Sequence, residues 1–201
     1  MFDRNHVYGW DIETANDDGQ GLTARDPNSR LTSISFTHSV GVEVISHDDE
    51  AQILTDWLDL LMAFEPGLLG SWNGSFFDIP FIADRAQILD HRLVAFWHLY
   101  PMPGLRPKYD YLPGHTTGYA LTFPTPNGLP HQHLDIAQSY RAFAAEANVA
   151  WSLKPVGEAL GHTPKRLDAA NLHTYSQAER DEYSASDAIL TRDLTLAKLG
   201  L

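Results

Sequence analysis

Asp11 and Glu13 stand two apart at the end of a β-branched and aromatic run, Val7-Tyr8-Gly9-Trp10-Asp11-Ile12. Alternate residues of an extended strand share one face, about 6–7 Å apart along the chain. Two carboxylates placed so repel each other unless a cation lies between them, and an all-oxygen site suits Mg²⁺ or Mn²⁺. Acidic pairs are common at exposed strand ends, so this pair gains meaning only from company. Asp78 offers a third carboxylate, in Asn73-x-x-x-Phe77-Asp78-Ile79-Pro80-Phe81-Ile82 with Arg85-Ala86 following. It lies where a strand gives way to a helix, a position that presents side chains to a cleft but is also the ordinary place for an N-capping aspartate. Tyr183-Ser-Ala-Ser-Asp187 offers a fourth. A spacing of four puts its phenol and carboxylate on one helical face, one turn apart. Taken alone, it also fits a plain amphipathic helix with the tyrosine at the edge of the core.

His131-x-His133-x-Asp135 is the competing constellation, since alternation places all three on one strand face. A zinc hydrolase is the sharp reading. No fourth ligand follows Asp135 and the chain has no cysteine, which weighs against zinc; a polar strand edge with Asp135 near the cleft fits the family resemblance of the acidic motifs better. Trp57, Trp72, Trp97 and Trp151 offer surfaces on which single strands stack, although Trp57 and Trp72 sit in apolar patterns that read as core. His91, Arg92, His98, Arg106 and Lys108 form either a strand-binding edge or a solvated loop face.

These residues need a scaffold. Val7 to Ile12 reads as a strand, Asn16 to Arg30 as a polar connection, and Leu31 to Thr37 with Gly41 to Ser46 as two strands joined by a short turn. Asp48 or Asp49 caps a helix whose apolar residues, from Ile53 to Phe64, recur at helical spacing up to Pro66-Gly67. Leu68 to Trp72 reads as a buried strand, Asn73-Gly74-Ser75 as a turn, and Asp78 to Leu89 as a helix with Pro80 in its first turn. The proline- and glycine-rich stretch from about 101 to 130 reads as a variable loop. Leu134 to Ala137 leads from a strand into a helix near Ser139 to Ala147, and Ser152 to Leu160 forms another helix, stopped by Gly161. Ser176 and Glu179 make a capping box for a last helix reaching Leu199. Strands first, then helices alternating with strands, imply an α/β architecture with a mixed sheet flanked by helices.

The chain has 201 residues with 43% hydrophobic and 20% charged residues, enough for one domain with a buried core. No apolar run is long enough to span a bilayer and the N-terminus lacks signal-peptide character, so a cytoplasmic protein without membrane contact is expected. A formal charge of −12 argues against a tight, sequence-independent nucleic-acid coat protein. It does not argue against a phosphate-processing enzyme whose carboxylates hold divalent cations, because bound cations reverse the local sign.

In this order and at these intervals, the three acidic motifs resemble the signature of the DEDD-type 3′–5′ exonucleases, in the tyrosine subclass. Their wording is similar to the proofreading domain of family B DNA polymerases. Ser152-Leu153-Lys154-Pro155-Val156-Gly157-Glu158-Ala159-Leu160-Gly161 is similar to the helix and glycine that precede the third motif. The resemblance runs from Tyr8 to about Leu194 and implies a single ribonuclease-H-like domain. No polymerase palm or thumb fits in the remainder, so a stand-alone domain is expected. It implies a phosphodiester hydrolase acting at the 3′ end of nucleic acid, DNA favoured over RNA, with DNA repair as its setting. Two divalent cations, Mg²⁺ or Mn²⁺, are implied as cofactors. One is held by Asp11, Glu13 and Asp187 and lowers the pKa of the attacking water; the other is held by Asp11, with Asp78 acting through water, and stabilises the leaving 3′ oxygen. Tyr183 is implied to orient that water. Asn73, Phe77 and Thr14 are carried over as weaker candidates for substrate contact. A catalytically silent module with the same fold, serving nucleic-acid binding or assembly, is the alternative. It has no chemical need for the complete set of carboxylates and tyrosine.

Overall fold

The computed structural model describes residues 3–16, 24, 26, 28–95, 98–101, 119–124 and 130–201. Its strands are β1 (Val7–Asn16), β2 (Ser29–His38), β3 (Gly41–Ser46), β4 (Leu68–Ser71), β5 (His98–Pro101), β6 (Tyr119–Pro124) and β7 (Pro130–Asp135). Its α-helices are α1 (Glu50–Ala63), α2 (Asp78–Ile88), α3 (Arg141–Glu146), α4 (Leu153–Ala159) and α5 (Gln177–Leu199). The strands form one mixed sheet in the order β3-β2-β1-β4-β7-β6-β5. β1 runs antiparallel to β2 and parallel to β4, β4 runs parallel to β7, and β6 returns antiparallel beside β7. This is the expected α/β, ribonuclease-H-like arrangement.

Alternation along β1 decides what each face of the sheet does. Tyr8, Trp10 and Ile12 point to one side and join the larger core with Ile53, Leu54, Trp57, Leu58 and Leu61 of α1 and Ile79, Phe81 and Ile82 of α2. Trp10 stacks on Trp57 with ring centroids 5.4 Å apart. Val7, Gly9, Asp11 and Glu13 take the opposite side, where α5 lies. Space there is short, because an added Cβ on Gly9 would overlap the backbone of Ala188 and Arg192, and one on Gly70 the side chain of Thr195. Ser33, Ser35 and Thr37 of β2 are buried, and the Ser35 hydroxyl donates to the Ser184 carbonyl of α5 at 2.8 Å. Small and hydroxylated residues thus let a helix backbone settle close onto the sheet. Arg192 completes the seat by donating to the carbonyls of Val7 (2.7 Å) and Arg4 (2.8 Å).

The helix ends obey their local signals. The Asp49 side chain caps α1 through the Ala51 amide at 2.9 Å. Ser176 and Glu179 form the expected capping box, and α5 ends at Gly200 in the left-handed region. Arg85, buried in α2, forms an ion pair with Glu50 (Nε–Oε1 2.8 Å) and donates to the Ala24 carbonyl, tying α2 to α1.

Two expectations need correction. The stretch 101–130 is not all loop: 119–124 is strand β6, paired on both sides. Tyr-Ala-Leu-Thr-Phe has the alternation of a strand, obscured in the sequence by the prolines and glycines around it. Residues 102–118, with Arg106 and Lys108, lie outside the described residues, as do 125–129, Trp97 and most of the 16–30 connection. Nor is the His131-x-His133-x-Asp135 strand a polar edge, since β4 and β6 flank it and all three side chains are buried.

Candidate active site

One carboxylate oxygen from each of Asp11, Glu13 and Asp187 lies within 4.8 Å of the other two. β1 supplies the first pair, both on its α5-facing side, and α5 brings the third across from the far end of the sequence. Asp78 faces the same space: Asp11 and Asp78 both line a cleft of about 460 Å³, together with Ile12, Trp72, Asn73, Phe77, Ala137, Trp151, Ser152 and Leu153. Tyr183 stands one helical turn before Asp187. The Lys154 ammonium, from the first turn of α4, pairs with Asp187 Oδ2 and lies 3.7 Å from the Tyr183 ring centroid.

Crowded acids in a dry place hold their protons. Burial pushes Asp11 well above the usual carboxylate range, and Asp78, Asp187 and Glu13 push it further. Burial and the neighbouring Asp187 raise Glu13 to about 8. Asp78 is raised to about 7 by burial, held back by hydrogen bonds from its own amide and that of Ile12. Asp187 is raised by burial, against the pull of Lys154. Burial alone would lower the Lys154 ammonium, but Asp187 outweighs it and Lys154 stays charged. The Tyr183 phenol is raised by burial and keeps its proton.

This donor set fits a hard divalent cation. All ligand atoms are oxygens, Asp187 Oδ1 is buried with no hydrogen-bond partner among the described residues, and the site already holds one cation, the Lys154 ammonium, at the other oxygen of Asp187.

Asp78 does not cap α2. Phe77 occupies the N-cap position without a side-chain cap, and Asp78 is the first helical residue, free to reach across to β1. Asn73, in the left-handed region with φ 63°, and Phe77, which packs on Phe81 at 5.6 Å, both line the cleft. Thr14 is not among the residues that line it; strand alternation puts it on the face of β1 opposite Asp11 and Glu13.

The His131/His133/Asp135 row lies on one face, as alternation requires, but it is buried structure rather than a polar edge or a zinc site. His131 Nδ1 accepts from the Gly67 amide at 3.1 Å and Nε2 donates to the Leu61 carbonyl at 2.8 Å, leaving neither nitrogen for a metal. His133 Nε2 pairs with the Ser71 hydroxyl at 2.7 Å. Asp135 accepts three backbone amides. Arg92 pairs with Asp59 on the surface, and His91 with Thr55. Trp57 is core as expected; Trp72 packs against the smaller core, stacked on Tyr140, and also lines the cleft with Trp151.

Lys154 is the site residue that motif reading passed over. A signal was available, because a lysine in the first turn of a helix opposes the macrodipole and needs a nearby anion to justify it.

The fold is of the ribonuclease-H-like kind, and its cleft gathers carboxylates from β1, α2 and α5. Residues 14–98 match the family described as DNA polymerase family B, exonuclease domain. That span holds Asn73, Phe77 and Asp78, while Asp11, Glu13, Tyr183 and Asp187 fall outside it. The chain is 34% identical over 66 residues to the DNA polymerase delta catalytic subunit of Oryza sativa subsp. japonica, and 34% identical over 59 residues to that of Arabidopsis thaliana. The alignments span 33% and 29% of this chain but only 6% and 5% of those proteins. A family B DNA polymerase from the hyperthermophilic archaeon Pyrobaculum calidifontis superposes with a TM-score of 0.62 at 19% identity, over 96% of this chain and 24% of that one. At that identity the likeness speaks for the fold. No described helix is long and apolar enough to cross a membrane.

Proposed function

We propose that this chain is a divalent-metal-dependent 3′–5′ exonuclease that releases mononucleotides from the 3′ end of single-stranded DNA. The convergence of Asp11, Glu13 and Asp187, with Asp78 across the same cleft, carries this reading. Asp11, Glu13 and Asp187 would hold one Mg²⁺ or Mn²⁺, and Asp11, with Asp78 acting through water, would hold a second. When bound, the pair supplies Lewis acidity at the scissile phosphate and neutralises the crowded carboxylates.

The remaining work falls to side chains. Tyr183, protonated and one turn from Asp187, hydrogen-bonds the attacking water and aims it at phosphorus. Lys154 fixes both Asp187 and the tyrosine ring, so the water-orienting hydroxyl keeps a constant place. The phosphorus–oxygen bond to the 3′ oxygen breaks as the water's oxygen bonds to phosphorus, freeing a 5′-mononucleotide. The aromatic walls of the cleft, Trp72, Phe77 and Trp151, suit an unpaired base, whose faces stack without regard to sequence. A duplex end would have to fray before entering.

The test is digestion of matched 5′-labelled DNA and RNA oligomers, single- and double-stranded, with Mg²⁺ or Mn²⁺. The expected product is a ladder shortening by single nucleotides, fastest on single-stranded DNA. Intact oligomers after incubation with metal-loaded protein would overturn the reading.

A further inference from the structure

We infer that Asp135 is a positioning residue that sets where Asp78 stands relative to Asp11, by fastening the turn between β4 and α2 to the end of β7. Its Oδ1 accepts from the Asn73 amide at 3.0 Å and the Ala137 amide at 3.1 Å, and its Oδ2 accepts from the Ser75 amide at 3.1 Å. The Ser75 side chain also hydrogen-bonds to it. One buried carboxylate thereby gathers donors from both sides of the β4–β7 boundary, where strand pairing has ended at Ser71 and Asp135.

The turn it holds is tightly drawn. Asn73 adopts a left-handed conformation that an L residue other than asparagine or aspartate rarely accepts. The amides of Phe76 and Phe77 both donate to the Asn73 carbonyl, at 3.0 and 3.1 Å, and Ile79 donates to the Gly74 carbonyl at 2.9 Å. A Cβ on Gly74 would overlap the Ser71 side chain. Asp78 follows directly, and its carboxylate takes the Ile12 amide of β1. A continuous run of bonds therefore leads from Asp135 through Asn73 and Ser75 to Asp78, and from there to the strand that bears Asp11. Trp72, Asn73, Phe77 and Asp78, all from this segment, form one wall of the cleft.

A carboxylate is a costly fastener in this place. It is buried, and its charge opposes that of Asp78. Burying an ion is unfavourable unless several donors meet it, and here four do. A neutral asparagine has one acceptor oxygen instead of two, and its amide group would face the N–H groups that Asp135 now accepts from. The turn would then lose at least one bond and gain a repulsion, with little change in volume.

The consequence for turnover rests on the exonuclease reading; the consequence for the turn does not. The test compares the full chain with Asp135→Asn and Ser75→Ala, the second removing one donor while leaving the carboxylate in place. Amide hydrogen exchange without metal is expected to quicken about tenfold or more at Asn73 and Ser75 in Asp135→Asn, with β1 and α5 unchanged. On 5′-labelled single-stranded DNA, kcat should fall about tenfold or more while KM stays within about threefold, the mark of a displaced reacting group rather than lost binding. Ser75→Ala should move both readouts the same way by less, and decides the matter if Asp135→Asn fails to fold. Unchanged exchange at Asn73 and Ser75 would overturn the inference, and so would faster exchange with an unchanged kcat. A wild-type chain without turnover would overturn the exonuclease reading alone, and the exchange result would still decide whether Asp135 holds the turn.

Discussion

Lys154 and Asp11 act on the site in opposite senses. Lys154 is the positive charge among the carboxylates, and without it Asp187 loses its partner while Tyr183 loses the group over its ring. Lys154→Ala should lower the melting temperature of the metal-free protein and enlarge the upward shift produced by Mn²⁺, because the ion then answers a less compensated cluster. Turnover should fall by about 10²-fold, the scale of a lost orienting group. Asp11→Ala should do the reverse to stability. It removes the acid that Asp78, Asp187 and Glu13 all repel, so metal-free protein should melt higher while nucleotide release disappears. Parallel melting curves and single-turnover assays separate the two, and activity equal to wild type in Asp11→Ala would remove that residue from the mechanism.

Helix α5 sits close on β1, β4 and α4 because a glycine in each leaves it room. Gly9 faces the backbone of Ala188 and Arg192, Gly70 faces Thr195, and Gly157 of α4 faces Leu190. Gly9 lies two residues before Asp11 on the same face of the strand, and Ala188 follows Asp187 directly. The contact that admits the helix is therefore the contact that spaces the carboxylates. Gly9→Ala should destabilise the protein by about 1–3 kcal/mol, the usual cost of overpacking, which is about 2–4 °C of melting temperature per kcal/mol in a chain of this size. It should also shrink the Mn²⁺-induced shift, since α5 must back away from β1. A variant that melts lower yet keeps the full shift would mean that the helix seat and the metal site are independent.

For the molecule as a whole, the acidic cleft makes stability depend on pH and metal together. Glu13 is raised from 4.5 to about 8, and Asp78 from 3.8 to about 7. Between the unfolded and folded values the native state binds more protons than the unfolded chain, so unfolding free energy falls as pH rises. Stability from these groups is fully present below about pH 4 and lost as pH climbs through 7 to 8. Metal-free protein should therefore melt progressively lower from pH 5 to pH 8. Saturating Mg²⁺ or Mn²⁺ should flatten that slope by favouring the ionised carboxylates. Scanning calorimetry across this range checks it, and a metal-free melting temperature that rises toward pH 8 would contradict the buried acidic cluster. The formal charge of −12 adds its own repulsion.

Local chemistry was plain in the residue order: the capping box at Ser176 and Glu179, the β2–β3 hairpin, the helix after Asp49, and the shared face of Asp11 and Glu13 all depend on neighbours within a few positions. The three acidic motifs were legible as well, because each is a short string. Other features come from residues that are distant in the chain and become neighbours only on folding. Lys154 meets Asp187 across 33 positions and Asp135 meets Asn73 across 62. Lys154's place in a first turn asks for an anion without saying which, and nothing near Asp135 in the chain points to Asn73. The two histidines beside Asp135 show the same limit, since their spacing would suit a metal. Only the Leu61 carbonyl, the Gly67 amide and the Ser71 hydroxyl, brought in from elsewhere, make them structural. Periodicity tells which face a side chain takes, and packing of the whole chain tells what waits for it there.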